Sequence, residues 1–466
     1  MNKHIHLIGI GGIGMSAVAH LLLKKGWQVT GCDLKDNDLI GNLRKSGISV
    51  RIGHDSRHLE SVDRVVYSSA IPKDNPEIQE AKCRGISLIK RAEILAHLME
   101  GKTVVTVTGM HGKTTTASLV SFFMSEAGLS PTIALGGILE NLGGNALTGE
   151  GKFFVAEADE SDGSFLCYHP DYSIITNIDY EHLDYYKEFS SVLEAFSRFI
   201  NQTHDQGCLF YWREDAYLKG LLKNYKKKSV SFGLSRDADI SARDLSLEAL
   251  KSEFDCFRGR EFIGHFKLSL GGRHNILNSL AVIALGLELG IDREIIKQAL
   301  LNYKGTRRRL QVKFESLDYL VFDDYAHHPT EIKATLEAVR LLNSRRLLAV
   351  FQPHRYSRTK SLLDSFATCF GLADHIVITD IYAAGENPID GISGYSLYEK
   401  LKLGKHAQAR FCPKNDILDY LLKISMPGDL ILFLGAGDIT KISDELAEVF
   451  KRKGQDKRTA SKAYQL

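Results

Sequence analysis

The residues best able to do chemistry sit in glycine loops or at the ends of apolar runs. Gly9-Ile10-Gly11-Gly12-Ile13-Gly14 has G-x-G-x-x-G spacing, which lets backbone N–H groups approach a pyrophosphate at a helix N-terminus. Asp33 stands 19 residues beyond Gly14, where a dinucleotide fold places its ribose acceptor. A nicotinamide cofactor and a UDP-linked molecule both fit, and so does a simple tight turn. Gly109-Met110-His111-Gly112-Lys113-Thr114 is a shortened P-loop, because Val107 occupies the place of the first glycine in G-x-x-x-x-G-K-[ST]. It keeps the bare amides, a Lys for β/γ-phosphates and a hydroxyl for Mg2+, with Thr115 and Thr116 behind.

Glu157-Ala158-Asp159-Glu160-Ser161-Asp162 and Asn177-Ile178-Asp179-Tyr180-Glu181-His182 each close an apolar run. Carboxylates and an imidazole there can hold Mg2+ beside a P-loop, or they can be a solvated face. Asp323-Asp324-Tyr325-Ala326-His327-His328-Pro329 and Phe351-Gln352-Pro353-His354-Arg355-Tyr356-Ser357-Arg358 follow apolar runs further on. They lack H-E-x-x-H spacing, and their arginines suit phosphate or carboxylate recognition better than a metal. Helix capping is the competing use of these residues.

These groups need strands to carry them. The pattern predicts strands Ile5–Ile8 and Gln28–Cys32 around a helix Met15–Lys24, then a helix Arg91–Met99. The β-branched run Thr103–Val107 leads into the second glycine loop, and Phe153–Ala156 and Tyr172–Thr176 read as strands. A charge-rich hairpin region spans 229–270, followed by helix Asn275–Leu289. The strand–helix rhythm returns at Leu320–Asp323, Leu347–Phe351, His375–Thr379 and Leu430–Leu434. The alternation predicts an α/β protein with parallel sheets.

The chain has 466 residues, enough for several cores, and a net charge of +2 that excludes a strongly basic nucleic-acid wrapper. No apolar run reaches the ~18 residues of a membrane span. The seven cysteines form no C-x-x-C pair, which favours inert side chains in a reducing compartment, the cytoplasm, over a disulfide scaffold or zinc ribbon.

Taken in order, GIGGIGM, GMHGKTTT, EADESDGSF, NIDYEHLDYY, GRHNILN, GTRRRL, DDYAHHPTE, FQPHRYSRT and YAAGE resemble the motifs of the Mur ligases over nearly the whole chain. The resemblance implies three domains: a Rossmann-like UDP-sugar domain (1–100), a central P-loop-type ATPase domain with a parallel sheet (101–311) and a Rossmann-like ligase domain (312–450). The basic tail 451–466 reads as a disordered end.

The likeness is greatest to the alanine-adding branch. It implies UDP-N-acetylmuramate and L-alanine as substrates, with ATP and one or two Mg2+ ions, Mn2+ being a substitute. It implies no nucleic acid, no membrane span, and a monomer or weak homodimer. Gly109, Met110, His111, Gly112, Lys113, Thr114 and Thr115 would bind ATP with His274, Asn275, Asn278, Arg308 and Asp324. Thr114, Glu157 and His182 would hold the metal. Gly11, Gly12, Ile13, Asp33 and Ser69 would line the UDP-sugar site. Tyr325, His327, His354, Arg355 and Arg358 would form the amino-acid pocket. The catalytic set would be Lys113, His327, His354, Arg355 and Arg358. Sister ligases use a carbamylated lysine downstream of the metal-site His, yet Glu188–Ile200 contains no lysine. The alternatives are the branch that attaches a tripeptide to the same sugar and, more distantly, a nicotinamide-dependent dehydrogenase.

Overall fold

The computed structural model describes residues 4–342, 344–404 and 408–463. Its strands fall into three sheets. The first is parallel throughout, with order β3-β2-β1-β4-β5: β1 (His4–Ile8), β2 (Gln28–Asp33), β3 (Ser49–Ile52), β4 (Arg64–Tyr67) and β5 (Ser87–Lys90). Its helices are α1 (Ile13–Lys24), α2 (Asp38–Lys45), α3 (Pro76–Cys83) and α4 (Arg91–Met99). The strand order reverses between β1 and β4, and in open α/β sheets ligands bind at such a switch point, beyond the strand C-termini. The loop Gly9–Gly14 and the turn holding Ser69 lie there.

The second sheet is centred on β6 (Thr103–Thr108), flanked by β9 (Phe153–Glu157) and β10 (Tyr172–Ile175), both parallel to it. Val105 and Val107 are fully buried, and burying such a side chain stabilises by roughly 1.5–3 kcal/mol. Beyond β9 come β7 (Thr132–Leu139) and β8 (Gly144–Leu147). Beyond β10 come β11 (Cys208–Trp212), β12 (Ser229–Gly233), β13 (Ile240–Leu247), β14 (Ser252–Arg258) and β15 (Glu261–Leu268). The region predicted as a hairpin therefore extends the sheet edge, and β12 pairs parallel with β13. Helix α5 (Lys113–Glu126) follows β6, buried along most of its length.

The third sheet has the order β16-β17-β21-β18-β19-β20: β16 (Gln311–Glu315), β17 (Tyr319–Asp324), β18 (Arg346–Phe351), β19 (His375–Ile378), β20 (Ala409–Phe411) and β21 (Asp429–Leu434). All its pairings are parallel except β16 on β17. Leu348, Val350, Ile431 and Phe433 pack on one face and Leu347, Ala349, Leu430 and Leu432 on the other.

Packing divides the chain differently from the sequence boundaries. One compact unit is Met1–Leu245, Glu253–Ser269 and Asn275–Thr306; the other is Ser246–Ser252, Leu270–His274 and Arg307–Leu466. The boundary near Glu100 thus separates two sheets but not two packing units. The reason is visible in α1, which packs on β7 and β8, where Asn145 Nδ2 donates to Ile13 O (2.6 Å) and Ser16 Oγ (3.1 Å). A helix runs Thr440–Ala463, anchored where Phe450 stacks on Tyr319 at 4.3 Å. No helix among the described residues is long and apolar enough to cross a membrane.

Candidate functional site

In the first unit, β1 delivers a glycine loop whose amides are already organised. Gly11 N donates to Asp33 Oδ2 (3.0 Å), and Asn37 Nδ2 donates to Gly11 O (3.2 Å). A Cβ on Gly11 would come within 2.9 Å of both Asp33 Oδ2 and Ile40 Cδ1, so the glycine is required by close approach. Gly12 caps α1 without a side-chain bond, which leaves the helix N-terminus able to receive an anion. Arg91, which the motifs did not flag, comes up beneath Gly14 and lies 3.7 Å from Asp159.

The C-termini of β6, β9 and β10 bring three sequence motifs together. Gly109 (φ +125°) and Gly112 (φ +81°) hold backbone that L side chains rarely adopt, and a Cβ on Gly112 would lie 2.8 Å from Asn278 Oδ1. The loop is braced by β10: His111 N donates to Asn177 Oδ1 (2.9 Å), and the His111 ring contacts Asp179 Oδ2 at 2.9 Å. Met110 is buried, and its side chain is part of the core. Thr115 is buried in the first turn of α5.

Lys113 Nζ donates to Gly109 O (2.6 Å), Met110 O (3.2 Å) and Glu160 Oε1 (2.6 Å). Burial would lower its pKa, but Glu160, Asp159 and Glu157 outweigh burial and raise it, so the ammonium stays charged. Glu160 is fully buried and was missed as a site residue; the acidic run was noticed, but nothing in its spacing selects which carboxylate meets the lysine. The same Glu160 oxygen lies 3.3 Å from His182 Nε2. Burial lowers the His182 pKa, yet Glu160 and Glu181 lift it above its usual value. His182 therefore pairs with Glu160, which also holds Lys113.

Thr114 Oγ1 donates to Glu157 Oε1 (3.0 Å), whose other oxygen accepts from Gly136 N (2.9 Å). Burial, partly offset by Lys113, pushes the Glu157 carboxyl up, as expected of a desolvated carboxylate. A hydroxyl and a carboxylate this close, beside a P-loop lysine, are hard oxygen donors that fit Mg2+. Asn278 stands against Gly112, and its Nδ2 donates to Asn275 Oδ1 (3.2 Å). His274 falls in the second unit, where burial, followed by Arg309, lowers its pKa to about 4.

In the second unit, β17 and β18 flank β21, and their C-termini carry the histidine- and arginine-rich segments. The His327 and His354 rings are 5.6 Å apart, and His354 stacks on Tyr382 at 5.6 Å. Arg358 Nη1 lies 3.0 Å from His354 Nδ1. Arginine can only donate, so that nitrogen accepts and the His354 proton sits on Nε2. Burial, then His327, Arg358, Arg355 and Arg308, lowers the His354 pKa to about 2. His327 Nδ1 faces Tyr325 O at 3.0 Å, and Tyr325 packs edge-on against that ring. Arg355 has φ +68°, and its amide donates to Tyr382 O (2.9 Å). Ser357 Oγ donates to Glu386 Oε1 (2.6 Å), joining the YAAGE and FQPHRYSRT segments.

Asp324 and Arg308 are both engaged within the second unit. Asp324 accepts from Leu310 N (2.6 Å) on one oxygen and from Ala326 N (2.7 Å) on the other, which shapes the loop. Burial pushes its carboxyl up to about 6. The Arg308 guanidinium donates to Gly435 O (2.6 Å) and Asp323 Oδ2 (3.3 Å) and lies over Tyr325 at 5.0 Å, so it is pinned within its own unit.

A diphosphate loop, a lysine-bearing P-loop and an arginine–histidine cluster define a protein that handles phosphorylated substrates. The Mur ligase family catalytic domain matches residues 4–103, the Mur ligase middle domain 107–286, and the Mur ligase glutamate ligase domain 308–437. The chain belongs to the Mur ligase family. It is 44% identical over 451 residues to a UDP-N-acetylmuramate--L-alanine ligase of Desulforapulum autotrophicum, covering 96% of this chain and 99% of that one. A protein of the same name from Persephonella marina is 44% identical over 460 residues, covering 97% and 98%. Among solved structures, the UDP-N-acetylmuramate-alanine ligase of Thermotoga maritima superposes with a TM-score of 0.83 at 31% identity, covering 97% and 99%. A murein peptide ligase from Psychrobacter arcticus shares the fold with a TM-score of 0.72 at 24% identity, covering 95% and 98%.

Proposed function

We propose that this chain joins L-alanine to the lactyl carboxylate of UDP-N-acetylmuramate at the expense of ATP, releasing ADP and phosphate, in the cytoplasm. The observation that carries the reading is whole-length similarity at 44% identity to alanine-adding ligases, together with a P-loop whose lysine and metal-type oxygens are in place. The domains are assigned as a UDP-sugar sheet, an ATPase sheet and a ligase sheet.

A lactyl carboxylate oxygen attacks the γ-phosphorus of ATP, forming an acyl phosphate and releasing ADP. The alanine nitrogen then attacks the acyl carbon, loses a proton, and the tetrahedral intermediate expels phosphate. Such chemistry asks mainly for positioning and charge neutralisation. Lys113 and the amides of Gly109–Thr114 take the β/γ-phosphates. Thr114 and Glu157 would hold Mg2+, which supplies charge for the phosphoryl oxygens. Gly11, Gly12, Ile13 and Ser69 line the diphosphate of the sugar nucleotide, with Asp33 fixing the loop. Arg355 and Arg358 neutralise carboxylate and phosphate, while His354 offers an Nε2–H donor and His327 an acceptor nitrogen to the alanine end.

Phosphate release with ATP and Mg2+ is expected only when UDP-N-acetylmuramate and L-alanine are both present. Faster turnover with a tripeptide in place of alanine would replace this reading with the recycling reaction. Oxidation of NADH without ATP would remove both.

A further inference from the structure

A cluster of ligand-type side chains lies apart from the phosphate and arginine sites, where α3 covers the first sheet. Register sets Ile8 beside Cys32 and His6 beside Thr30, so His6 and Cys32 come from neighbouring strands onto one face. The turn Ser56–Leu59 adds His58, and α3 adds Glu77 in its first turn.

Glu77 is fully buried. Cys32 Sγ is 2.9 Å from its Oε2, and His58 Nδ1 is 2.6 Å from its Oε1. His6 is 1% exposed, and its Nε2 faces the same carboxylate at 3.8 Å without a hydrogen-bond partner. The other His6 nitrogen is engaged with Thr30 Oγ1 at 2.9 Å, which aims Nε2 inward. One ligand atom from each of His6, Cys32, His58 and Glu77 lies within 4.8 Å of the others. A buried nitrogen left unpaired costs free energy that a hydrogen-bonding role for the cluster does not recover. A cation at the centre would engage all four atoms at once.

We propose that His6, Cys32, His58 and Glu77 form a closed, four-coordinate site for a divalent transition-metal ion of the zinc type. The mixed nitrogen, sulfur and oxygen set selects such an ion over Mg2+ or Ca2+, which prefer oxygen alone. On binding, the Cys32 S–H bond breaks, the sulfur–metal bond forms, and the proton leaves to solvent. His54, whose Nδ1 is 3.2 Å from Cys32 Sγ, becomes an outer partner of the thiolate. With four protein ligands the site is structural: it ties β1, β2, the His58 turn and α3 together beneath the loop that follows β1.

The test is a Co2+ titration of the chelator-treated full-length protein in excess Mg2+. One equivalent is expected to give a thiolate-to-cobalt charge-transfer band and tetrahedral d–d bands, both bleached by Zn2+. Cys32→Ser should lose the charge-transfer band, and His58→Ala should lose the tetrahedral bands. Zn2+ should raise the melting temperature of the wild type but not of Cys32→Ser. No stoichiometric Co2+ or Zn2+ in the wild type overturns the proposal, whatever the variants do. So does a charge-transfer band that survives in Cys32→Ser.

Discussion

Lys113 gives its protons to two loop carbonyls and to Glu160, so an incoming phosphate competes with a buried carboxylate for one cation. Lys113→Ala should lower turnover by at least about 10²–10³-fold, the scale of losing one preorganised electrostatic contact, while affinity for the UDP sugar persists. Parallel loss of both would contradict separate sites. Glu160→Gln keeps an acceptor but removes the charge that orients Lys113 and His182. It should therefore lower kcat roughly tenfold or more with a smaller change in the ATP KM; steady-state kinetics showing an effect on KM alone would exclude that positioning role. His354 makes a pH prediction. Its pKa is about 2 in the folded chain, against about 6.5 when unfolded. A depressed pKa means the stabilisation is present above pH 6.5 and is lost as pH falls toward 2. Between pH 7 and 5 the wild type should lose about 2 kcal/mol more than His354→Gln in urea unfolding. Equal losses would mean His354 takes up a proton in the native state.

The strands carrying the site were legible because β-branched and apolar runs such as Thr103–Thr108 and Asp429–Leu434 are bounded by glycine or polar loops. The glycine spacings likewise marked the two strand-to-helix loops after β1 and β6. Partner choice was not legible, because Lys113 and His182 meet Glu160 only once β6, β9 and β10 lie side by side. Arg91 and the His6–Glu77 cluster are likewise brought into place by sheet order, from positions far apart in sequence. These elements make a sharper prediction than any single side chain. Gly109 has φ +125°, and a Cβ there would collide with Thr176 Oγ1 and approach Asn177 N at 2.9 Å. Gly109→Ala should displace the loop from β10 and weaken nucleotide binding by more than about tenfold, the effect of ~1.4 kcal/mol. Gly11→Ala should instead weaken the UDP sugar and spare the nucleotide, by pushing on Asp33 and Ile40. Calorimetric titration of each variant with each ligand checks both, and identical losses in the two variants would show that the loops are not separate sites.

For the molecule as a whole, the near-neutral charge of +2 conceals sites that gather cations around anions, and chain order conceals which segments fold together. Residues 246–252 and 270–274 pack with the third sheet although they interrupt the sequence of the second. Leu250 is part of that arrangement, packed against the core of Phe322, Ile332, Leu336 and Ala349. The first unit holds two sheets and the second unit one, each unit with its own core, so all-or-none unfolding is not expected. Scanning calorimetry should resolve two transitions. Mg2+·ADP at roughly a hundredfold over its Kd stabilises the state that binds it by about 2.7 kcal/mol, and this should raise only the transition of the unit that carries Lys113. Leu250→Ser should lower the other transition and leave the ligand-driven shift intact. If the substitution instead depresses the nucleotide-sensitive transition, the segment belongs energetically to the P-loop unit, and the division by packing fails.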